Sequence, residues 1–207
     1  MRAPRAVLVA VGLGITASVA APGQSAGPDK RVWTAFSIGY GGASMGCDSC
    51  SGVGHIAGTT ASVQVGRYLS NFFRVNATIN GWVHSNGNAT EGMGSATINF
   101  GIVTHGTTEF SIPNGIFLDV GIGLSAYRSG IVRGLLDTIP SLSGTGWGVS
   151  VGVGYDIPLS RRLTLSPTAR YARGFVGDLH RAADGSPYTT GWNQNWFDVS
   201  LGVTFSP

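Results

Sequence analysis

The two cysteines of this 207-residue chain, Cys47 and Cys50, are spaced as C-x-x-C. Such a pair can form a disulfide, exchange thiols or supply two ligands to zinc. Structural zinc takes four ligands, and only His55 lies close enough in sequence to add a third. In an oxidising compartment the same spacing predicts a disulfide within a loop. We adopt that interpretation, with free or metal-bound thiols as the alternative.

Two other groups of residues have the types needed for nucleophilic catalysis. Residues 148–152 match G-x-S-x-G, but that motif requires a sharp strand-to-helix turn, and Ser150 lies within an alternating strand pattern. His84 and Ser85, with Glu91, combine the residue types of a hydrolase. Because polar residues are common where loops begin, the sequence favours a protein without enzymatic activity and without a cofactor.

The elements that position these residues are predicted from a period of two in hydrophobicity. From Ile116 to Tyr127, one parity holds Ile116, Leu118, Val120, Ile122 and Leu124, and the other holds Phe117, Asp119, Gly121, Gly123 and Ser125. Eight such stretches follow one another along the chain. Successive side chains of a strand point to opposite faces, so each stretch predicts a strand of about 10 residues with one apolar face. The gaps between the strands alternate long and short, and the longest of them covers residues 174–195.

The N-terminus predicts export. Arg2 and Arg5 precede an uncharged apolar run over residues 6–20, and small residues follow it. This is the pattern of a signal peptide over residues 1–26, cleaved between 20 and 26. The run is shorter than the ~20 residues that a spanning helix needs. Residues 27–207 then form one domain.

Composition limits the class of partner. Only 11% of the residues are charged, against about 25% in typical soluble domains, and 33 are glycine. The formal charge is +3, and removal of Arg2 and Arg5 with the signal lowers it to +1. A chain so close to neutral is not expected to bind nucleic acid.

The whole chain after the signal resembles the small eight-stranded outer-membrane barrels of the OmpA transmembrane-domain and OmpX kind. Its most specific part is the last strand, where Ser200 and Gly202 precede Phe205 in the typical closing pattern. The resemblance implies an all-β fold, an eight-stranded antiparallel up-and-down transmembrane β-barrel, in the outer membrane of a Gram-negative-type bacterium. It also implies that the barrel-assembly machinery recognises Ser200, Gly202 and Phe205.

Five charged residues share the polar face of their strands: Arg74, Asp119, Asp156, Arg170 and Asp198. A charge facing lipid costs about 2–4 kcal/mol at the bilayer midplane, so all five are predicted to point inward. Eight strands enclose room only for side chains, and the five are expected to form a packed network. We predict a salt bridge between Arg170 and Asp198, and a second group near the periplasmic end. An ion path is the alternative.

Residues 128–143 are predicted to be a long outer loop with an apolar centre, formed by Ile131, Val132, Leu135, Leu136 and Ile139. Their spacing of three and four suggests a short amphipathic helix or a hydrophobic lid. Such a segment either packs on the barrel rim and neighbouring lipid or binds a partner.

Together these patterns predict an integral outer-membrane barrel, monomeric and surrounded by lipid, that acts in envelope structure or surface interaction through its outer loops. The main alternative is transport or binding of a small apolar molecule or lipid by the barrel. Two further alternatives are lipid A modification and a soluble eight-stranded carrier whose apolar face points inward.

Overall fold

The structure is a computed structural model that describes residues 32–48, 50, 53–87, 89–104, 115–132, 138–160 and 162–206. It contains eight long strands: β1 Val32–Gly46, β2 Val53–Tyr68, β3 Phe73–Ser85, β4 Ala89–Val103, β5 Ile116–Val132, β6 Thr138–Tyr155, β7 Leu163–Arg181 and β8 Pro187–Phe205. Ile157–Pro158 continues β6 for two residues. The signal peptide predicted over residues 1–26 lies outside the described residues. No helix among the described residues is long and apolar enough to cross a membrane.

The strands close into a ring. Each strand pairs antiparallel with the next, and β8 pairs with β1 from Thr34↔Phe205 to Gly46↔Asn193. Closure leaves no open sheet edge, which is the condition for a β-structure to span a bilayer. The predicted eight-stranded up-and-down barrel is confirmed.

The predicted assignment of the two faces is also confirmed. Ile122 and Val151 are 60% and 41% exposed on the outer wall, whereas the side chains of Asp119 and Ser150 are buried inside. The same exposed apolar band covers all eight strands, and it includes Phe36, Ile38, Val65, Ile79, Ile98, Leu118, Val120, Leu124, Val149, Tyr171, Phe197, Val199 and Leu201. An apolar outer wall around a polar interior contacts lipid, so the soluble carrier is excluded.

The two tight turns define the periplasmic end. In the β2–β3 turn, the backbone N–H groups of Phe72 and Phe73 donate to Ser70 Oγ, each at 3.2 Å. The β6–β7 turn lies at the same end, where β1 begins and β8 ends. Outer-membrane barrels place their short turns and termini in the periplasm. The β4–β5 connection over residues 105–114 lies outside the described residues.

The strands are longer than predicted. They contain 13 to 19 residues rather than about 10. The segments interpreted as long outer loops are therefore mostly strand: β7 continues to Arg181 and β8 begins at Pro187, within the predicted loop 174–195. The outer loops are short, and the wall of the barrel itself extends beyond the apolar band.

The alternation does not predict this extension, because the hydrophobic pattern inverts in the outer part of several strands. In the outer half of β8, Trp192 and Trp196 point inward and are buried, while the intervening Asn193 and Asn195 lie on the outer face. In β1, Met45 is likewise buried beside the partly exposed Ser44. We call the part with an apolar wall the membrane section, and the outer part with a polar wall and apolar interior the external section.

The described residues of the apolar segment lie in strands β5 and β6 rather than in the suggested helix. Ile131 pairs with Ile139, and Val132 pairs with Thr138. These pairs continue the ladder of the external section. Leu135 and Leu136 lie outside the described residues.

Candidate functional site in the barrel interior

The periplasmic half of the interior holds a charge cluster of Arg74, Asp119 and Asp156. Arg74 Nε donates to Asp119 Oδ1 at 2.9 Å, and Arg74 Nη2 donates to the other oxygen of the same carboxylate. Asp156 Oδ2 lies 3.7 Å from Arg74 Nη1, and its Oδ1 accepts from Ser166 Oγ at 2.6 Å. A bidentate pair fixes the guanidinium plane as well as its position.

Two aromatic rings hold the same guanidinium. The Cζ atom of Arg74 lies 3.7 Å from the centroid of Phe117 and 5.4 Å from that of Trp33. Both rings are buried on inward positions, where they stabilise the cation through their faces. Large aromatic residues on the polar face of a strand indicate from sequence that these rings point inward, and the closed ring determines which cation they contact.

An amide and hydroxyl layer lies above this cluster. Asn99 Nδ2 donates to Asn76 Oδ1 at 2.8 Å and to Thr78 Oγ1 at 2.9 Å. Ser150 Oγ donates to Asn99 Oδ1 at 3.1 Å. Ser150 therefore belongs to a hydrogen-bonded interior layer within a regular strand, and the local structure is not a nucleophile elbow.

Arg170 and Asp198 face the interior at paired positions of β7 and β8, and both are buried. The ion pairs among the described residues join Arg74 to Asp119 and Asp156, and none joins Arg170 to Asp198. The predicted salt bridge is therefore not formed. The side chain of Arg170 lies beside Gly152 of β6 instead: a Cβ built on Gly152 would lie 3.7 Å from Arg170 Nε, an ordinary van der Waals contact.

An apolar plug fills the external section. Ten buried residues form it: Ala43, Met45, Trp82, Met93, Tyr127, Ala172, Val176, Leu179, Trp192 and Trp196. Trp82 and Leu179 are fully inaccessible, and the rings of Tyr127 and Trp192 are 4.6 Å apart. Burial, followed by the nearby carboxylate of Glu91, raises the pKa of Tyr127 to about 12, so its hydroxyl stays protonated.

At the level of the plug, Gln194 lies between Trp192 and Trp196 on β8 and reaches across the interior to β5. Its Nε2 donates to Ser125 Oγ at 3.1 Å and to the carbonyl oxygen of Ala126 at 2.9 Å. In the periplasmic half, a cavity of about 20 Å³ is lined by Trp33, Gln64, Arg74 and their neighbours. That volume holds about one water molecule. The side chains around this cavity are closely packed.

The residues considered for catalysis do not assemble. His84 and Glu91 are register partners on the inner face of β3 and β4, whereas Ser85 points to the outer face. His84 Nδ1 lies 2.8 Å from the carbonyl oxygen of Ala57. A hydrolytic triad requires the histidine to reach the serine hydroxyl, and opposite faces of one strand prevent this.

The C-x-x-C pair lies at the outer end of β1. A disulfide joins Cys47 and Cys50, whose Cα atoms are 5.0 Å apart. Cys47 packs against the apolar plug, and the N–H of the intervening Asp48 donates to the carbonyl oxygen of Thr190 at 3.4 Å. The described residues form no group of three or more His, Cys, Asp or Glu side chains able to hold a metal ion.

Comparison with known proteins identifies the fold. No protein-family model and no curated protein matches the chain. Among solved structures, Neisserial surface protein A matches with a TM-score of 0.50 and 16% identity, covering 84% of this chain and 97% of that one. The outer membrane protein AlkL has a TM-score of 0.49 at 15% identity over 91% and 95% of the two chains. Ail of Yersinia pestis has 0.48 at 10% identity over 86% and 99%.

The chain therefore has the fold of the small eight-stranded outer-membrane β-barrels. Its lipid-facing outer wall agrees with that assignment, and the protein resides in the bacterial outer membrane. A shared fold does not identify a function, which has to be argued from the sites that the barrel carries.

Proposed function

We propose that this protein is a non-enzymatic outer-membrane barrel that acts in surface interaction or envelope structure through its external section and outer loops. The observation that carries the proposal is the external section itself, with a polar wall outside and the apolar plug inside. That arrangement is the core of a soluble β-domain, and it holds the outer hairpins away from the lipid. Loops positioned by a rigid scaffold are the usual sites of binding.

The β7–β8 hairpin contains the two longest strands of the barrel, with 19 residues each. Near its tip, His180, Arg181 and Tyr188 are exposed, and the guanidinium of Arg181 lies 5.7 Å from the Tyr188 ring. Tyr and Arg are the residue types that most often dominate the energy of protein interfaces. This tip is the surface that we assign to contact with a macromolecule outside the cell.

Whole cells provide the test. Cells that express the wild-type protein are compared with cells that lack it. Two quantities are measured: attachment to immobilised glycans and proteins, and resistance of the envelope to bile salts. Arg181→Ala with Tyr188→Ala should reduce any attachment, whereas Arg162→Ala, at the periplasmic turn, should not. Identical attachment and identical envelope resistance in cells with and without the protein would refute the proposal.

A second candidate function is binding or transport of a small apolar molecule or lipid. The observation in its favour is the position of the apolar plug, inside the barrel at the outer end. Passage would require the buried Trp82 and Trp196 to move, and the charge cluster would still close the periplasmic half. Faster uptake of a long-chain alkane by expressing cells, abolished in a barrel locked by an engineered disulfide across the plug, would favour this candidate over the first.

Three further assignments complete the proposal. The signal peptide over residues 1–26 directs export, and the mature barrel is a monomer. The assembly machinery recognises the last strand through Ser200, Gly202 and Phe205. Phe205 supports this assignment by its position: it is exposed on the outer face and pairs with Thr34 where the ring closes. Phe205→Ala should slow assembly and leave unfolded protein in the periplasm. On SDS gels this unfolded protein has the same mobility before and after boiling, whereas the folded barrel runs faster before boiling.

A further inference from the structure

The outer wall carries an uneven distribution of charge at the border between the membrane and external sections. On six strands the first polar outward residue above the apolar band is neutral: Ser44, Thr59, Ser85, Thr90, Thr145 and Asn195. On β5 and β7 it is an arginine, Arg128 and Arg173, and both are exposed. The two cations therefore flank β6 on one side of the barrel.

The surface between the two arginines carries hydroxyl groups above the exposed ring of Trp147. Ser143 pairs with Arg128 across β5 and β6, and both Ser143 and Thr145 are exposed. Arg173 pairs with Val149, so the two arginines are separated by six residues along β6, or about 20 Å in an extended strand. We call Arg128, Ser143, Thr145, Arg173 and Phe175 the β5–β7 patch.

Aromatic stacking holds one of the arginines in place. The Cζ atom of Arg173 lies 5.0 Å from the centroid of the Phe175 ring, which stacks on Trp147 at 4.3 Å. Trp147 is half exposed on the lipid-facing wall. No ion pair among the described residues joins Arg128 or Arg173 to a carboxylate. A guanidinium oriented over an aromatic ring at this depth is positioned for the anionic groups of the outer leaflet.

We propose that the β5–β7 patch binds the phosphorylated sugar headgroup of an outer-leaflet glycolipid. Arg128 and Arg173 each contact a phosphate, the hydroxyls of Ser143 and Thr145 contact the sugar between them, and the acyl chains lie along Trp147 and Val149. A lipid with one phosphate can satisfy only one of the two arginines. The spacing therefore favours a headgroup that carries two phosphates over a simple phospholipid.

Native mass spectrometry of the folded barrel in detergent measures this directly, with diphosphoryl lipid A, monophosphoryl lipid A and phosphatidylglycerol as probes. We expect diphosphoryl lipid A to bind most tightly. Arg128→Gln with Arg173→Gln should weaken its binding by about tenfold or more, because charged hydrogen bonds to phosphate are lost. Arg67→Gln is the matched control, since Arg67 is an exposed arginine near the periplasmic end of β2.

The remaining outcomes each contradict the proposal. Binding by the double variant within about twofold of the wild type, or an equal loss in Arg67→Gln, would exclude the patch as the site. Equal affinity for phosphatidylglycerol would show general attraction to anionic lipid, and displacement of the lipid by inorganic phosphate alone would show a simple anion site. Each variant is first shown to be folded, because a folded barrel migrates faster on an SDS gel before boiling than after boiling.

Discussion

At the residue scale, two inward-facing glycines, Gly101 and Gly152, differ in whether a side chain at their position would displace the neighbouring arginine. Gly101 lies between Arg74 and Asp119 in register, and a Cβ built on it would overlap the Asp119 carboxylate and lie 3.0 Å from Arg74 Nε. The bidentate pair thus crosses β4 because position 101 has no side chain. At Gly152 the corresponding Cβ would make ordinary contact with Arg170.

This difference gives a matched pair of variants. Gly101→Ala should displace the ion pair and destabilise the barrel by about 3–5 kcal/mol, as Arg74→Ala should, because a buried charge then loses its partner. Gly152→Ala should change the free energy of unfolding by less than about 1 kcal/mol. Urea titration in lipid vesicles, with the folded fraction determined by gel mobility, measures both. Equal costs for the two glycines would contradict this account of the charge cluster.

The interior charges also mark the limit of prediction from sequence at this scale. Strand parity correctly identifies which side chains face inward, because lipid excludes charge from the other face. It does not identify their partners, since these depend on which neighbouring residues leave space. Arg170 and Asp198 are directly opposite each other, yet the side chain of Arg170 lies beside Gly152 on β6. The aromatic contact of Arg74 with Trp33 and Phe117 likewise depends on three strands meeting in the closed ring.

At the element scale, the alternation of apolar and polar residues identifies a strand only as long as the medium outside the barrel wall stays the same. In the membrane section the alternation is apolar outside and polar inside, and the eight stretches were identified correctly there. In the external section the solvent outside is water, so Asn193 and Asn195 face outward while Trp192 and Trp196 face inward. If apolar residues are expected on the same parity throughout, the external part of the strand is interpreted as a loop although the strand continues. A large apolar residue on the inward parity in the outer half of a strand, such as Trp82, marks this change, whereas Trp33 and Phe117 have the same parity at the periplasmic end.

The disulfide element belongs to this external section. Replacement of both Cys47 and Cys50 by serine should leave the barrel folded, with a loss of stability below about 3 kcal/mol, because the closed loop is very short and its entropy contribution is small. The measurement is urea unfolding of the oxidised wild type against the double variant. The wild-type cysteines should also resist alkylation until a reductant is added. Failure of the double variant to fold would show that the disulfide holds the apolar plug in place.

At the scale of the whole molecule, the barrel is one closed ring with two different solvents around it. The membrane section is stabilised by its polar interior and the lipid outside, and the external section by its apolar plug, as in a water-soluble domain. The closed ring was predictable because eight strands with an apolar outer face have to pair all their edges to lie in lipid. The height of the barrel above the membrane was not predictable. The apolar pattern of the outer wall ends at the lipid surface, while the backbone hydrogen bonds between the strands continue beyond it.

Orientation follows from the same architecture and can be tested on intact cells. The turn at Gly185 lies at the outer tip of the β7–β8 hairpin, where its φ of 70° allows a tight connection, whereas Ser70 and Asn71 lie in the periplasmic turn. An epitope inserted at Gly185 should be labelled by antibody on intact cells, and one at Ser70–Asn71 only after the envelope is permeabilised. Insertion at either turn should leave the heat-dependent gel mobility unchanged, since neither turn contributes to the ring. Labelling of the Ser70–Asn71 epitope alone on intact cells would reverse the barrel in the membrane and place the apolar plug on the periplasmic side.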